Sequence, residues 1–493
     1  MIVPMAPLVT AAEMRALEAD AVAAGTTEDV LMEEAGAGLA GVVRQFWPQP
    51  GAAILFCGKG HNAGDACVLA RHLLSAGWQV ELRAAFPPET WRALAREKFA
   101  GIAGEVASVA VACEAVPRAR PLLLVDGLLG TGAGGPLREP VRTATRMMNL
   151  LRERHAADTL ALDLPSGLDA DSGAADADTV RADVTATLGF PKHGLIAPGA
   201  EDFVGRIAHI PLALPFPDHA AAQLITPALL RPLLTRRPFS MHKGQAGRIG
   251  IVAGSRGLTG AARLAATAAV TAGGGLVTLF CPRDVYEVLA ASCPPEVMVR
   301  AVHSCREVMA WPLDAIGIGP GMGSAPPSYL TNLLRDDPRP VVVDADALNA
   351  MAAHRISLAA RTGGPRLLTP HPGELARLAP TAAALAAAQD AVILSKSARS
   401  QVIAAGQPTL YNTTGHPMMA KGGFGDVLTG FCTTFAAQGL ALRHAAALGS
   451  WLLGHAAELA RRADGDAVES FTPSRLLEMT GAACASLRSG GVF

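Results

Sequence analysis

One stretch decides how the chain is organised: Asn412-Thr-Thr-Gly-His-Pro-Met-Met-Ala-Lys-Gly-Gly-Phe-Gly-Asp426-Val-Leu-Thr-Gly430. Its apolar end, residues 427–437, predicts a helix, so residues 422–425 would form a Gly-rich loop at the helix N-terminus. Unpaired N–H groups and the helix dipole favour a phosphate there, and glycine allows its close approach. Asp426, in the first helical turn, could then take a proton from a hydroxyl group that attacks a phosphoryl group. A Gly-rich turn capping an ordinary buried helix would leave the same pattern.

Composition narrows the class of protein. The chain has 493 residues, half of them hydrophobic and 17% charged, with a net charge of -1. This length suggests two or three domains, and the neutral balance gives no reason to expect a nucleic-acid or membrane partner. The eight cysteines are dispersed without a CxxC pair, which is typical of reduced thiols. Residues 1–10 have no signal-peptide pattern and no apolar run reaches bilayer length, so we expect a cytoplasmic protein.

The first half begins its regular pattern with a strand, a Gly-rich loop and a helix. Residues 52–57 are a buried-type strand, Gly58-Lys-Gly-His-Asn-Ala-Gly-Asp65 follows as the loop, and residues 66–76 predict the helix. With a strand at residues 79–84, this βαβ unit implies a parallel sheet with helices on its faces. Such loops bind ligands at the carboxyl end of the sheet. A tight turn without a ligand is the alternative.

Two further strands of the first half end in carboxylates. Asp126 ends residues 121–126, and Asp163 ends residues 159–163, followed by Ser166. Together with Asn62 these side chains would meet at one sheet edge. The ligand atoms that they offer to a cation are all oxygens. Such a set suits a hard cation or a sugar hydroxyl, although single strand-end aspartates often serve as turn residues. Lys192 is either a phosphate contact or a solvated loop lysine.

A break divides the sequence. Pro211, Pro215, Pro217 and Asp218 interrupt any periodic element, and we place the domain boundary so that residues 1–222 and 223–493 form separate domains. The second half repeats the strand–loop–helix pattern, with polar strand ends in Gly319-Pro-Gly-Met-Gly323, Asp344-Ala-Asp-Ala-Leu-Asn349, Thr369-Pro-His-Pro-Gly-Glu374 and Ser395-Lys396. It therefore predicts a second α/β domain.

These stretches, together with His242-Lys-Gly, Gly254-Ser and the opening stretch, resemble the ADP- or ATP-dependent NAD(P)H-hydrate dehydratase family, a branch of the ribokinase-like fold. The first half resembles NAD(P)H-hydrate epimerase domains, which are Rossmann-like and three-layered. Its shared stretches are Met32-Glu-Glu-Ala-Gly36, residues 58–65, Val125-Asp-Gly-Leu-Leu-Gly-Thr-Gly132, Leu162-Asp-Leu-Pro-Ser-Gly-Leu168 and Pro191-Lys192. The order of the halves is similar to that in the bifunctional NAD(P)H-hydrate repair family.

The resemblance implies repair of NADH or NADPH that has taken up water on the nicotinamide ring as R and S epimers. The dehydratase phosphorylates the new hydroxyl of the S form, using ADP or ATP with magnesium, and eliminates phosphate. The resemblance makes Asp426 the base and gives hydrate contacts to Ala261, Gly321, Gly323, His371 and Asp426. It gives nucleotide contacts to Lys396, Ser397, Ala398, Arg399, Ser400 and Gly425. Asp344 and Asn349 would either order magnesium or brace the loop.

For the epimerase, the resemblance implies a potassium ion held by Asn62, Asp126 and Ser166, and a catalytic Asp163. Hydrate contacts would come from His61, Asn62, Ala63, Gly64, Asp65, Gly130, Thr131, Gly132, Pro136 and Asp163. The partners would be the hydrates NADHX and NADPHX and the nucleotide, with neither nucleic acid nor membrane, and we expect a homo-oligomer.

The sequence departs from the family pattern at a few positions. His61 replaces an Asn, and Ala63 and Ala66 replace glycines, which would be costly if φ were positive or the ligand lay close. Ser397 replaces a Gly, and Lys421 would add positive charge near the phosphate. Two other functions compete: a ribokinase-like kinase with a non-catalytic Rossmann-like domain, whose product keeps the phosphate, and a non-enzymatic binding module like that of mRNA-decapping scaffold proteins. The near-neutral net charge does not indicate the basic surface that a nucleic-acid-binding module would need.

Overall fold

The computed structural model describes residues 6–217, 221–324, 327–464, 468–490 and 493. The described residues form two compact units, residues 6–226 with residue 493, and residues 227–490. Asp218, the last residue of the predicted break, and residues 1–5 of the N-terminal segment lie outside the described residues. The predicted boundary at residue 222 falls within a short strand, and the division into separately folding domains stays a prediction.

The first unit is a parallel sheet with helices on both faces. In chain order its elements are β1 (Ala6–Pro7), α1 (Ala11–Ala23), α2 (Glu28–Phe46), β2 (Ala52–Cys57), α3 (His61–Ser75), β3 (Gln79–Ala84), α4 (Ala93–Ala100), β4 (Ala107–Ser108), β5 (Leu122–Gly127), α5 (Val141–His155), β6 (Asp158–Leu162), β7 (Val184–Leu188), α6 (Glu201–Val204), β8 (Arg206–Ile210) and β9 (Ala222–Leu224). Seven strands form the sheet in the order β4-β3-β2-β5-β6-β7-β8. Every neighbouring pair is parallel, and β1 pairs antiparallel with β9.

Alternation along β2 explains the layers of this unit. Ala53, Leu55 and Cys57 pack in the core with α2, α3 and α4. Ala52, Ile54 and Phe56 pack with α5 on the opposite face. A parallel strand covered on both faces is apolar throughout, which is why residues 52–57 lack an alternating pattern.

Two glycines allow α2 and α3 to cross closely. A methyl group at Gly36 would lie 2.2 Å from Val68 Cγ1, and one at Gly64 would lie 2.5 Å from Met32 Sδ. The Met32-Glu-Glu-Ala-Gly36 stretch therefore packs α2 against α3. The side chain of Phe493 also packs against α2 in this unit, and its backbone N–H donates to Gln45 Oε1 at 2.7 Å.

The second unit is also three-layered. Its elements are α7 (Pro227–Leu230), β10 (Arg248–Val252), α8 (Thr259–Thr271), β11 (Leu276–Cys281), α9 (Tyr286–Ser292), β12 (Val297–Ala301), α10 (Cys305–Met309), β13 (Ala315–Ile318), α11 (Pro327–Asp336), β14 (Val341–Val343), α12 (Ala345–His354), β15 (Arg366–Leu368), α13 (Pro372–Leu378), α14 (Ala382–Gln389), β16 (Val392–Ser395), β17 (Gln401–Ile403), β18 (Thr409–Tyr411), α15 (Phe424–Ala437), α16 (Leu442–Asp464) and α17 (Pro473–Ser489).

Within this unit the strand order is β18-β17-β16-β15-β14-β13-β10-β11-β12. The strands from β16 to β12 are parallel, whereas β16, β17 and β18 pair antiparallel. One core packs α8 and α9 on the sheet, and another packs α10, α11, α12 and α14 on the other face. The predicted fold class, two successive three-layer α/β domains, is confirmed.

Two helix starts were predicted too late. Helix α3 begins at His61 and not at residue 66, and α15 begins at Phe424 and not at residue 427. The glycines in these stretches suggested loops, but Gly64 and Gly425 lie in the first turns of their helices.

All eight cysteines are free thiols. No helix in the described part of the chain has the length and apolar character needed to cross a membrane.

Candidate active sites

At the carboxyl edge of the first sheet, the predicted cation ligands Asn62, Asp126 and Ser166 converge. Ser166 Oγ donates to Asp126 Oδ1 at 2.7 Å and accepts the N–H of Leu129 at 3.0 Å. The Ser166 N–H donates to Asp126 Oδ2 at 2.7 Å. Asn62 Nδ2 donates to the carbonyl of Leu129 at 2.8 Å. The strands β2, β5 and β6 are neighbours and parallel, so their following segments meet here.

Asp126 is fully buried. Burial raises the pKa of its carboxyl group to about 6, although hydrogen bonds from Ser166 and Leu128 oppose that rise. Among the described residues no basic side chain forms an ion pair with Asp126, and Asn62 Oδ1 accepts no hydrogen bond. The pocket therefore presents carboxylate and amide oxygens without a protein counter-charge.

The predicted hydrate contacts of residues 61–65 lie on a helix. His61 is half-buried at the start of α3, where its Nε2 lies 3.2 Å from Arg92 Nη1 and 3.7 Å from Glu28 Oε2. Ala63 and Ala66 are fully buried in the core, and no residue of this stretch has positive φ. The alanines that replace glycines therefore cause no backbone strain, because the helix makes φ negative.

The predicted hydrate loop with Gly130, Thr131, Gly132 and Pro136 is open to solvent next to Asn62. Gly132 and Pro136 are exposed, and Gly130 and Thr131 are half-buried. A methyl group at Gly130 would lie 3.8 Å from Asn62 Cβ. Arg15 of α1 donates to the carbonyl of Thr131 at 3.3 Å, so α1 lies beside this loop.

Asp163 follows β6 in a left-handed conformation, with φ 67°. Its Oδ1 accepts the N–H of Leu188 at 3.2 Å and forms a short ion pair with Lys192 Nζ. Lys192 is 1% exposed and also donates to the carbonyl of Leu188 at 3.0 Å. The solvated-lysine alternative is wrong, because the side chain is a buried partner of Asp163. A phosphate contact by Lys192 stays a prediction.

In the second unit, Asp344 joins three elements at the carboxyl edge of the sheet. It lies between β14 and α12 and is buried. Its Oδ1 accepts Lys396 Nζ at 2.5 Å, and its Oδ2 accepts the hydroxyl of Thr429 at 2.8 Å. Asn349 donates to Asp346 Oδ1 at 3.4 Å and accepts from Arg377 at 2.8 Å. In their described contacts, Asp344 and Asn349 brace the segments that follow the strands at this edge.

Asp426 lies in the first turn of α15, beside this brace. Gly423, with φ 101°, is the N-cap of α15 and no side chain caps the helix, so the first N–H groups lack a side-chain acceptor. Among the described residues nothing donates a hydrogen bond to the Asp426 carboxyl group. Burial and the nearby Asp344 raise its pKa to about 7, while Lys396 opposes the rise. A half-buried, unpaired carboxylate with a pKa near neutrality is suited to act as a base.

The predicted nucleotide contacts at residues 396–400 lie between β16 and β17, and Gly425 lies in the first turn of α15. Burial opposes the charge on Lys396, but Asp344 and Glu374 outweigh it and raise the pKa of the ammonium group. A methyl group at Gly425 would lie 3.5 Å from Lys396 Nζ. Ser400 Oγ donates to the carbonyl of Ser397 at 3.0 Å and so closes the turn that contains Ala398 and the buried Arg399.

The predicted hydrate contacts of this unit lie along the same edge. Methyl groups on Gly321 and Gly323 would lie 3.0 Å from Ala261 Cβ and 3.1 Å from Ser255 Oγ, and both glycines have positive φ. The N–H of Gly323 donates to Asp346 Oδ2 at 2.8 Å. His371 caps α13: its Nδ1 accepts the N–H of Gly373 at 3.0 Å, which leaves the proton on Nε2 of a half-exposed ring.

Lys421 is directed elsewhere. Its Nζ donates to the carbonyls of Glu469 and Phe471, the latter at 2.8 Å. The expectation that Lys421 adds charge near a bound phosphate is thus not supported by its contacts, which hold the segment before α17.

Comparison with known proteins assigns both units. The family model described as "YjeF-related protein N-terminus" matches residues 28–194, and the one described as "NAD(P)H-hydrate dehydratase" matches residues 249–479. The bifunctional NAD(P)H-hydrate repair enzyme of Moorella thermoacetica is 38% identical, over 93% of this chain and 93% of its own. The chain belongs to the bifunctional NAD(P)H-hydrate repair enzyme family. The Salinibacter ruber member is 34% identical, over 92% of each chain.

Among solved structures, the ADP/ATP-dependent NAD(P)H-hydrate dehydratase from Bacillus subtilis, co-crystallized with ATP and Mg²⁺, is similar to one part of the chain. It is 26% identical, covers 54% of this chain and 98% of that one, and has a TM-score of 0.46.

Sequence reasoning missed two residues, Glu18 and Thr429, that the structure brings to the candidate sites. Glu18 of α1 interacts electrostatically with Lys192 and Asp163, yet α1 precedes the stretch matched by the first family model. In the sequence Glu18 is simply a polar residue on a predicted helix, which does not mark it as part of a site. Thr429 could have been found from helical spacing, because it follows Asp426 by three residues on α15.

We expect Asp344→Ala to lower the free energy of unfolding of the second unit by about 3–5 kcal/mol, because it removes one partner of a buried ion pair. Glu478→Ala, which breaks the exposed pair with Arg475 on α17, should cost about 0–1 kcal/mol. Calorimetric unfolding of both variants measures the difference. Equal losses would show that Asp344 is not the brace of this edge.

Proposed function

We propose that the protein repairs hydrated NADH and NADPH at two sites. The first unit interconverts the R and S hydrates, and the second dehydrates the S hydrate at the expense of ADP or ATP. The observation that carries the second assignment is Asp426, an unpaired carboxylate at the uncapped N-terminus of α15 beside Lys396. Family membership assigns the same pair of activities to the two halves.

In the dehydratase step, Asp426 removes the proton of the hydrate hydroxyl as its oxygen attacks the terminal phosphoryl group. The uncapped N–H groups of α15 and the Lys396 ammonium group stabilise the charge on the transferred group. The phosphorylated oxygen then leaves as phosphate, the neighbouring carbon loses a proton, and the ring double bond returns. The base and the phosphate site thus lie on one helical turn.

Magnesium would enter with the nucleotide. Within the described residues no group of three or more His, Cys, Asp or Glu side chains could hold a metal ion. Magnesium commonly takes most of its ligands from water and substrate phosphates, which is compatible with such a site. The choice between ADP and ATP, the homo-oligomeric state and the cytoplasmic location stay predictions.

The direct test supplies purified protein with S hydrate and either ADP or ATP. Recovery of the absorbance of the reduced ring together with released phosphate supports the proposal. A stable phosphorylated product would instead identify a kinase.

In the same assay, Asp426→Asn should reduce turnover by about 10²–10⁴-fold, the usual cost of losing a general base, with nucleotide binding nearly intact. Because Asp426 must be ionised to accept the proton, wild-type kcat/KM should fall as the pH drops through about 7. Dehydration by Asp426→Asn within a few-fold of wild type would remove Asp426 from the mechanism. Epimerisation by this variant should be unchanged, since it belongs to the first unit.

We also propose that potassium binds among Asn62, Asp126 and Ser166. The donors fit: Asp126 is buried without a basic partner, and Asn62 Oδ1 has no donor among the described residues. One carboxylate among neutral oxygens suits a monovalent cation better than magnesium. A bound cation would offset the charge of Asp126 and hold together the segments that contact the hydrate.

Asp126→Asn should abolish potassium-dependent epimerisation while dehydration of pure S hydrate continues. Asp183→Asn, which weakens an ion pair with Arg152 in the same unit, controls for lost stability and should keep the potassium dependence. Epimerisation rates measured in a potassium salt and in a salt of a bulky organic cation show whether each variant depends on potassium. Wild-type epimerisation that is indifferent to potassium would leave only the bracing role for these three side chains.

A further inference from the structure

Two carboxyl groups at the edge of the first sheet, those of Asp163 and Glu18, interact with Lys192, and the carboxyl group of Asp65 interacts with both of them. Asp163 and Lys192 form the buried pair described above. Asp65, on α3, interacts electrostatically with Asp163 and with Glu18 of α1. Glu18 in turn interacts with Lys192. The cluster therefore draws on α1, α3, the end of β6 and the segment after β7.

Asp65 is the member without a partner. It is 8% exposed, yet no described residue donates a hydrogen bond to its carboxyl group or pairs with it. It follows Asn62 by three residues on α3, so both side chains lie on the helix face that meets the end of β6. Its carboxyl oxygens are not among the fully buried, unpartnered atoms of the described residues, so they keep a small accessible surface that a ligand at this edge can reach.

The charges around Asp65 decide whether its carboxyl group carries a proton. Lys192 donates to Asp163 and to a backbone carbonyl. His209, which also interacts with Lys192, adds no second cation near neutral pH because burial lowers its pKa to about 4. Arg15 of α1 interacts with Glu18. Burial raises the pKa of Asp65 well above its usual range, and Asp163 and Glu18 raise it further.

We propose that Asp65, the unpaired buried carboxyl group beside the Asp163–Lys192 pair, is the proton donor to the hydroxyl group of the hydrate during epimerisation. Lys192 is a positioning residue that holds Asp163 in its left-handed conformation, and Glu18 sets the charge that Asp65 experiences. The inference rests on the proposed epimerase function of this unit and adds the route of the reaction.

Water adds to an enamine at the carbon bonded to nitrogen, so the hydrate hydroxyl lies next to the ring nitrogen. Asp65 gives its proton to that oxygen, the C–O bond breaks, water leaves, and the nitrogen lone pair forms a C=N double bond. Water then adds to the opposite face, its electron pair makes the new C–O bond, and Asp163 accepts the released proton. Proton return from Asp163 to Asp65 restores the site with the carbon inverted.

The test measures epimerisation of pure S hydrate by the full-length protein in the absence of nucleotide. Asp65→Asn, which keeps the shape but cannot donate a carboxylic proton, should lose about 10²–10⁴-fold in rate. Asp65→Glu, which keeps an acid, should retain more activity than Asp65→Asn. In heavy-oxygen water the wild-type R product should carry solvent oxygen in its hydroxyl group. Thermal unfolding shows that the variants are folded.

The pH profile separates donation from a structural role. Wild-type epimerisation should decline at high pH as Asp65 loses its proton. Glu18→Gln removes a like charge and should move this decline to lower pH, whereas Asp20→Asn, an exposed change on the same helix, should not move it. A folded Asp65→Asn protein at wild-type rate, or a Glu18→Gln profile that matches Asp20→Asn, overturns the proposal. A wild-type protein that does not exceed the spontaneous rate overturns the epimerase function itself.

Discussion

Parallel pairing of neighbouring strands is the constraint on which both sites depend. In the first unit β2, β5 and β6 end at one edge, so residues far apart in the chain, such as Asn62 and Ser166, meet there. In the second unit β14, β15 and β16 end together, which brings Asp344 and Lys396 within 2.5 Å. An antiparallel arrangement would place successive connections at opposite edges and disperse these groups.

Both edges also hold buried or half-buried carboxyl groups with which no described basic side chain forms an ion pair. Asp126 has no basic partner in the described part of the chain, and Asp426 and Asp65 accept no hydrogen bond there. Desolvation of an ionised group is costly, and that cost appears as raised pKa values. A bound cation or a transferable proton would remove this cost, so the proposed binding and catalysis would relieve a cost that folding imposes. Asp344 shows the opposite arrangement, because Lys396 and Thr429 satisfy it and it serves as a brace.

The sequence predicted the strands, their polar ends and the two α/β units, because apolar runs followed by Gly and Asp residues are local signals. It misplaced the starts of α3 and α15, because glycine was taken as a sign of a loop. Gly64 is needed for space against Met32, and Gly425 lies beside Lys396. Long-range burial was beyond sequence reasoning as well. The pairing of Lys192 with Asp163, the direction of Lys421 and the approach of Glu18 all depend on segments that are distant in the chain.

The contact of Phe493 with α2 can form only late in the synthesis of the chain. Phe493 follows the whole second unit in the chain, yet its ring packs against the first unit at Gly41, where a methyl group would lie 2.7 Å from the ring. The first unit therefore leaves the ribosome with this part of α2 uncovered. This contact forms only after the second unit has been translated.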